Sequence, residues 1–124
     1  MEYIRIPNLS RSYDNEWNSN GLLEKAADFI KNWILAQGVQ GLSMNFLQEK
    51  GRSPTLFVEI QPFNSSSNKN VMMYGHFDKQ PHMTGWLDGL SPIHPKIIGD
   101  KLYGRGGADD GYAAFTAILS IKAL

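Results

Sequence analysis

Two short stretches of the chain carry groups that chemistry can use. The first is Tyr74-Gly75-His76-Phe77-Asp78. An imidazole such as His76 can ligate a metal or carry a proton, and Asp78 can fold back to accept its ring N–H. That carboxylate–histidine pairing fixes the tautomer and raises the basicity of the metal-facing nitrogen. The second stretch is Tyr103-Gly104-Arg105-Gly106-Gly107-Ala108-Asp109-Asp110-Gly111. Its small residues permit positive φ and close backbone approach. They deliver Asp109 where a helix is expected to begin, a position that favours a carboxylate even without metal. With metal, the two oxygens of Asp109 can bridge two cations. The two stretches lie too far apart for a structural zinc finger and suit a catalytic site assembled from different strand ends. Plainer readings stand beside these. His76 alone fits a structural histidine, and Asp109 or Asp110 fits a helix N-cap. The glycine loop fits an anion cradle, although it lacks both the GxxxxGK[ST] pattern and the GxGxxG spacing.

Composition narrows the chemistry. The 124 residues suffice for one domain and bear 12 basic and 12 acidic side chains, for a formal net charge of zero. A chain this long buries about 65% of its unfolded surface. No basic footprint for nucleic acid is present, nor a polybasic membrane patch. With no cysteine, any metal must be held by His, Asp or Glu. Met1 to Pro7 has no signal-peptide pattern, and no apolar run reaches the length of a membrane span. A cytoplasmic protein is the expectation.

The elements that would position these groups are legible in the periodicity. Asn18 to Gly38 predicts a helix, with Leu22, Leu23, Ala26, Phe29, Ile30, Trp33 and Ile34 along one face. Ser19 or Asn20 can cap it, and Gly38 suits its left-handed terminus. Leu42 to Gln48 and Thr55 to Ile60 predict an antiparallel strand pair joined by Glu49 to Pro54. Phe63 to Asn70 reads as a polar loop. Val71 to Tyr74 is a continuous apolar run, predicted as a strand buried on both faces that ends at the His76 stretch. Residues 81 to 100 read as an irregular crossing loop, and Lys101 to Tyr103 as a brief strand. A final helix is predicted from Asp109 or Asp110 to Leu124. Its lack of a stop signal suggests a chain cut from something longer.

The ordered pair GHFDKQP and DKLYGRGGAD, with Trp86 between them, resembles the M20 metallopeptidases, closest to the carnosine-dipeptidase-like and aminoacylase-like branch. The resemblance is strongest over residues 71 to 124, and Ile4 to Ser10 is similar to the family's opening segment. It implies an α/β fold: a three-layer α/β/α zinc-exopeptidase-like catalytic domain with a mostly parallel sheet. Residues 1–124 would be its N-terminal portion, without the rest of the domain or the dimerisation domain. It further implies His76 as a ligand to one metal, Asp109 as the ligand bridging two, and Asp78 as the catalytic-site carboxylate that orients His76. An Asp109–Asp110 cis peptide is implied as well. Two divalent ions would be bound in the full enzyme, zinc by default, with manganese or cobalt able to serve. The metals would activate a water and polarise the scissile carbonyl. The substrate would be a small peptide or an N-acyl amino acid, and the full-length protein a homodimer with no nucleic-acid or membrane partner. The family's general-base glutamate and remaining ligands would lie beyond Leu124, so the 124-residue chain is expected to be inactive by itself. The pattern departs from the family at Asp109-Asp110-Gly111-Tyr112, where many relatives carry a lysine, and at Pro92-Ile93.

Several neighbours read as supporting residues. His82 and His94 fit exposed or locally bonded positions in the crossing loop. The Arg105 side chain is expected to hold its loop through carbonyls or a carboxylate. Trp86 reads as a packing anchor, and Trp17 and Trp33 as helix-associated core. A noncatalytic module with the same motifs is the reading from a different class.

Overall fold

The computed structural model describes residues 1–64 and 66–124; Ser65, in the expected polar loop, lies outside the described residues. The chain opens with a 3-10 turn, Glu2–Arg5. Helix α1 follows at Leu22–Ala36, then strands β1 (Leu42–Leu47) and β2 (Thr55–Ile60). Strands β3 (Lys96–Ile98) and β4 (Lys101–Tyr103) precede helix α2, Ala113–Lys122.

Helix α1 begins later than its periodicity suggests. Residues 15 to 19 are occupied by turns, held by the Asp14 carboxylate, which accepts from the Glu16 N–H at 2.9 Å and the Asn20 amide at 2.7 Å. Asn20 in turn accepts the Leu22 N–H at 3.0 Å, satisfying one otherwise orphaned donor. Ser19 bonds backward to Glu16 instead. At the far end Gly38 takes φ 64°, the left-handed conformation expected there. Leu23, Ala26, Ala27, Ile30 and Ile34 are buried along one face.

That face meets Tyr3, Ile4 and Ile6 of the amino-terminal segment and Ile118 of α2. Trp33 packs edge-on to Phe115 at 4.7 Å between ring centroids. Strands β1 and β2 pair antiparallel in the register Leu42↔Ile60, Met44↔Val58 and Phe46↔Leu56. Leu42, Met44, Leu56, Val58 and Ile60 pack against the core from one side of the hairpin, as alternation requires. Burying each large side chain in this core contributes about 1.5–3 kcal/mol.

Helices and strands are thus mixed in an α/β chain, and both sheets are two-stranded and antiparallel. Among the described residues, parallel pairing is limited to an isolated bridge between Leu9 and Lys79.

Three expectations are corrected here. Val71 to Tyr74 is not a buried strand: Val71, Met72 and Tyr74 are 84%, 92% and 83% exposed. A strand apolar on both faces needs neighbours on both edges, and among the described residues none lies beside it. The crossing loop is not irregular throughout, because Lys96–Ile98 pairs with Lys101–Tyr103 around Gly99, whose φ of 60° closes a two-residue turn. Helix α2 starts at Ala113 rather than at Asp109 or Asp110. The Ala113 N–H reaches the Asp110 carbonyl at 2.7 Å, so both aspartates stand in the turn before the helix.

Candidate metal centre

The loop carrying His76 is pinned from below. The Tyr3 hydroxyl and the Asn8 side-chain amide both donate to the Phe77 carbonyl, each at 2.5 Å. The Lys79 N–H donates to the Asn8 carbonyl at 2.9 Å, and the Lys79 carbonyl accepts from Ser10 at 2.9 Å. The second loop folds over this segment because its glycines allow it. Gly106 has φ 84°, and a Cβ there would come 2.7 Å from Lys79 Cε. A Cβ on Gly111 would collide with the Gly106 carbonyl and the Tyr3 ring.

These constraints bring His76 together with three carboxylates. His76 Nδ1 lies 3.0 Å from both the carbonyl and Oδ1 of Asp78. Both neighbours are acceptors, so Nδ1 carries the proton. The opposite nitrogen, Nε2, faces Asp109 Oδ1 at 3.4 Å and Asp110 Oδ2 at 3.8 Å. Ligand atoms of His76, Asp109 and Asp110 all lie within 4.8 Å of one another. Side-chain exposure is 32% for His76 and 50% for Asp109, so the cluster is open to solvent on one side.

Electrostatics follow from this geometry. Partial burial alone would pull the His76 pKa down. The Asp78 carbonyl and the carboxylates of Asp78, Asp110 and Asp109 outweigh it, and the net shift is upward. Tyr3 lies beneath the site. Burial raises its phenol pKa, the Asn8 hydrogen bond lowers it, and the charges of Asp78 and Asp109 add to the rise.

The predicted site residues His76, Asp78 and Asp109 are therefore neighbours. Asp110 joins them, although its sequence position suggested only a helix cap. Adjacent residues in a strand would point apart; the turn after the glycine loop lets both aspartates face one imidazole. The Asp109–Asp110 peptide is trans, contrary to the cis bond implied by family resemblance. A non-proline cis bond costs about 3 kcal/mol, a cost the trans form avoids.

Neighbouring residues fall into place around the site. His94 is exposed, with Nδ1 3.1 Å from the Ser91 hydroxyl. Trp86 anchors its loop by donating from Nε1 to the His82 carbonyl at 2.8 Å. Burial, together with Lys79 and Arg105, pushes the His82 pKa down. Arg105 ties its loop through its backbone, donating N–H to the Pro92 carbonyl at 2.8 Å, while its side-chain Nε is buried without a hydrogen-bond partner among the described residues. This corrects the side-chain role expected for it. A cleft of about 310 Å³, lined by Phe29, Trp33, Phe115 and Tyr112, includes none of the converging groups.

Sequence reading missed Lys79, Asn8 and Tyr3. The available signal was a lysine directly after a site carboxylate, with no acidic partner at helical or strand spacing. No protein-family model matches the chain, and no curated protein matches it. Among the described residues, no helix is long and apolar enough to cross a membrane.

Proposed function

We propose that the chain is the metal-binding portion of a metal-dependent hydrolase that cleaves a peptide or amide bond. One observation carries the reading: Nε2 of His76 and the carboxylate oxygens of Asp109 and Asp110 converge on one point. With Nδ1–H committed to Asp78, three electron-rich atoms face each other, an arrangement that a proton on Nε2 relieves at low pH and a bound cation relieves above it. An imidazole nitrogen with two carboxylates is a donor set that suits zinc, manganese or cobalt.

A divalent ion held there would act as a Lewis acid on a carbonyl and lower the pKa of a water. The residues of the chain do the rest. Asp78 keeps the His76 lone pair turned toward the ion. Asp109 and Asp110 supply negative charge and, through their second oxygens, capacity for further contacts. Among the described residues this group contains no glutamate, so the proton-transferring base and the donors for a second ion are assigned elsewhere in the M20-type reading. That reading also carries the three-layer α/β/α fold and homodimerisation of the complete enzyme as proposals, on the strength of GHFDKQP and DKLYGRGGAD. The substrate class is a small peptide, with an N-acyl amino acid as the alternative.

A metal-directed probe tests this. An aminoacyl hydroxamate is expected to bind the zinc-loaded chain and not the metal-free chain, and binding should vanish in His76→Ala. Zinc-loaded protein that ignores both peptide-like and acyl-amino-acid hydroxamates contradicts the hydrolase reading and favours a noncatalytic metal module. Dipeptide hydrolysis by this chain alone would place the base within it.

A further inference from the structure

Lys79 is 1% exposed, a rare state for a lysine, and among the described residues no carboxylate accompanies it. Its ammonium donates instead to three backbone carbonyls: Tyr3 at 2.8 Å, Ile4 at 3.3 Å and Ile6 at 2.5 Å. The same ammonium stands 4.3 Å from the centre of the Tyr3 ring. Its aliphatic stem runs under Gly106, where any side chain would strike Cγ, Cδ and Cε. Its backbone is bonded to Asn8 and Ser10 on the other side. One residue thus touches the amino-terminal segment, the loop of His76 and Asp78, and the loop leading to Asp109 and Asp110.

We propose that Lys79 is the positioning residue of the metal centre: its ammonium fixes the amino-terminal carbonyls and its stem sets the spacing between the His76–Asp78 loop and the Asp109–Asp110 loop. This rests on the metal-site reading above. A lysine fits the role because three rotatable N–H donors match three carbonyls converging from one turn, and because an unbranched stem fits beneath a glycine. Surrounding carbonyls return part of the solvation that burial takes from the ammonium, although burial still pulls its pKa down to about 8. The site depends on a spacing of a few ångströms between Nε2 and two carboxylates, so a loop shift of about 1 Å is enough to spoil it.

The test uses the full chain and the variant Lys79→Met, which keeps an unbranched stem and removes the three donors. Cobalt(II) is titrated into both, with affinity and visible absorption recorded, and the His76 ring nitrogens are followed by NMR without metal. The expected result is a loss of cobalt affinity of about 10-fold or more, an altered cobalt spectrum, and a weakened Nδ1–H signature in the metal-free variant. Circular dichroism confirms that the variant is folded. A folded variant with wild-type affinity, spectrum and ring signals would overturn the proposal, because a purely structural lysine lowers the melting temperature and leaves these unchanged. If Lys79→Met does not fold, Lys79→Arg retains donors for the carbonyls but overfills the space under Gly106. The same loss and spectral change are then expected, and wild-type values overturn the proposal. Wild-type protein that binds no cobalt defeats the metal-site reading instead, while the ring signals still report whether Lys79 sets the His76–Asp78 geometry.

Discussion

Whether His76 holds a proton or a metal ion is set by what faces its two nitrogens. Asp78 secures Nδ1–H, and Asp109 and Asp110 make a proton on Nε2 favourable, so its pKa stands above the ordinary 6.5. A raised folded pKa stabilises the metal-free fold fully below pH 6.5, and that contribution is lost as pH rises through the folded value. Metal affinity runs the other way, growing over the same interval as the competing proton leaves. Ring NMR of the metal-free chain should therefore show His76 titrating above 6.5 and His82 below it. Asp78→Asn should move His76 downward; an unchanged titration would mean the contact is not made in solution. The types of His76, Asp78 and Asp109 were legible because each belongs to a distinctive glycine-containing string. Asp110 was not, because its role depends on a turn geometry that residue type does not encode. Asn8 and Lys79 were hidden for a related reason: their partners are backbone carbonyls, which leave no trace in sequence.

Among the elements, the amino-terminal segment matters most to the site, though it contributes no candidate ligand. Asn8 is fully buried and donates to the Phe77 carbonyl. Asn8→Ala should cost about 1–3 kcal/mol, the penalty for leaving a buried polar group unpaired, as measured by urea unfolding. A variant as stable as wild type would mean that water replaces the amide. Ile30, 2% exposed in the centre of α1, gives the contrasting case. Ile30→Ala should cost about 2–5 kcal/mol through lost burial and a cavity, with cobalt affinity of the folded protein nearly unchanged. The α1 face and the antiparallel β1–β2 pair were readable from the sequence because 3.6-residue and two-residue periods are local signals. Strand β3 was missed because Lys96–Ile98 is three residues long and set among prolines and glycines. The Val71–Tyr74 run was misread because an apolar string reports hydrophobicity, not whether neighbouring strands exist to cover it.

At the scale of the whole molecule, one core formed by α1, α2, the β1–β2 hairpin and the amino-terminal segment supports a site held by loops. Val71, Met72, Met73 and Tyr74 stand exposed in succession just before Gly75 and His76. Contiguous exposed apolar residues favour association. Met72→Lys should reduce self-association in sedimentation or light scattering while changing stability by no more than about 0.5 kcal/mol, as for other surface substitutions. A large loss of stability would show that Met72 is buried in the molecule as it exists in solution. The zero formal net charge gives no general repulsion to oppose such association.

The central claim is that His76, Asp109 and Asp110 form a cation site, and zinc calorimetry near neutral pH tests it most directly. Wild-type protein should bind zinc at a saturable site. His76→Ala should lose that binding, and Asp109→Asn and Asp110→Asn should each weaken it, with all three variants remaining folded. Absence of binding in the wild type, or equal binding in wild type and His76→Ala, would contradict the account.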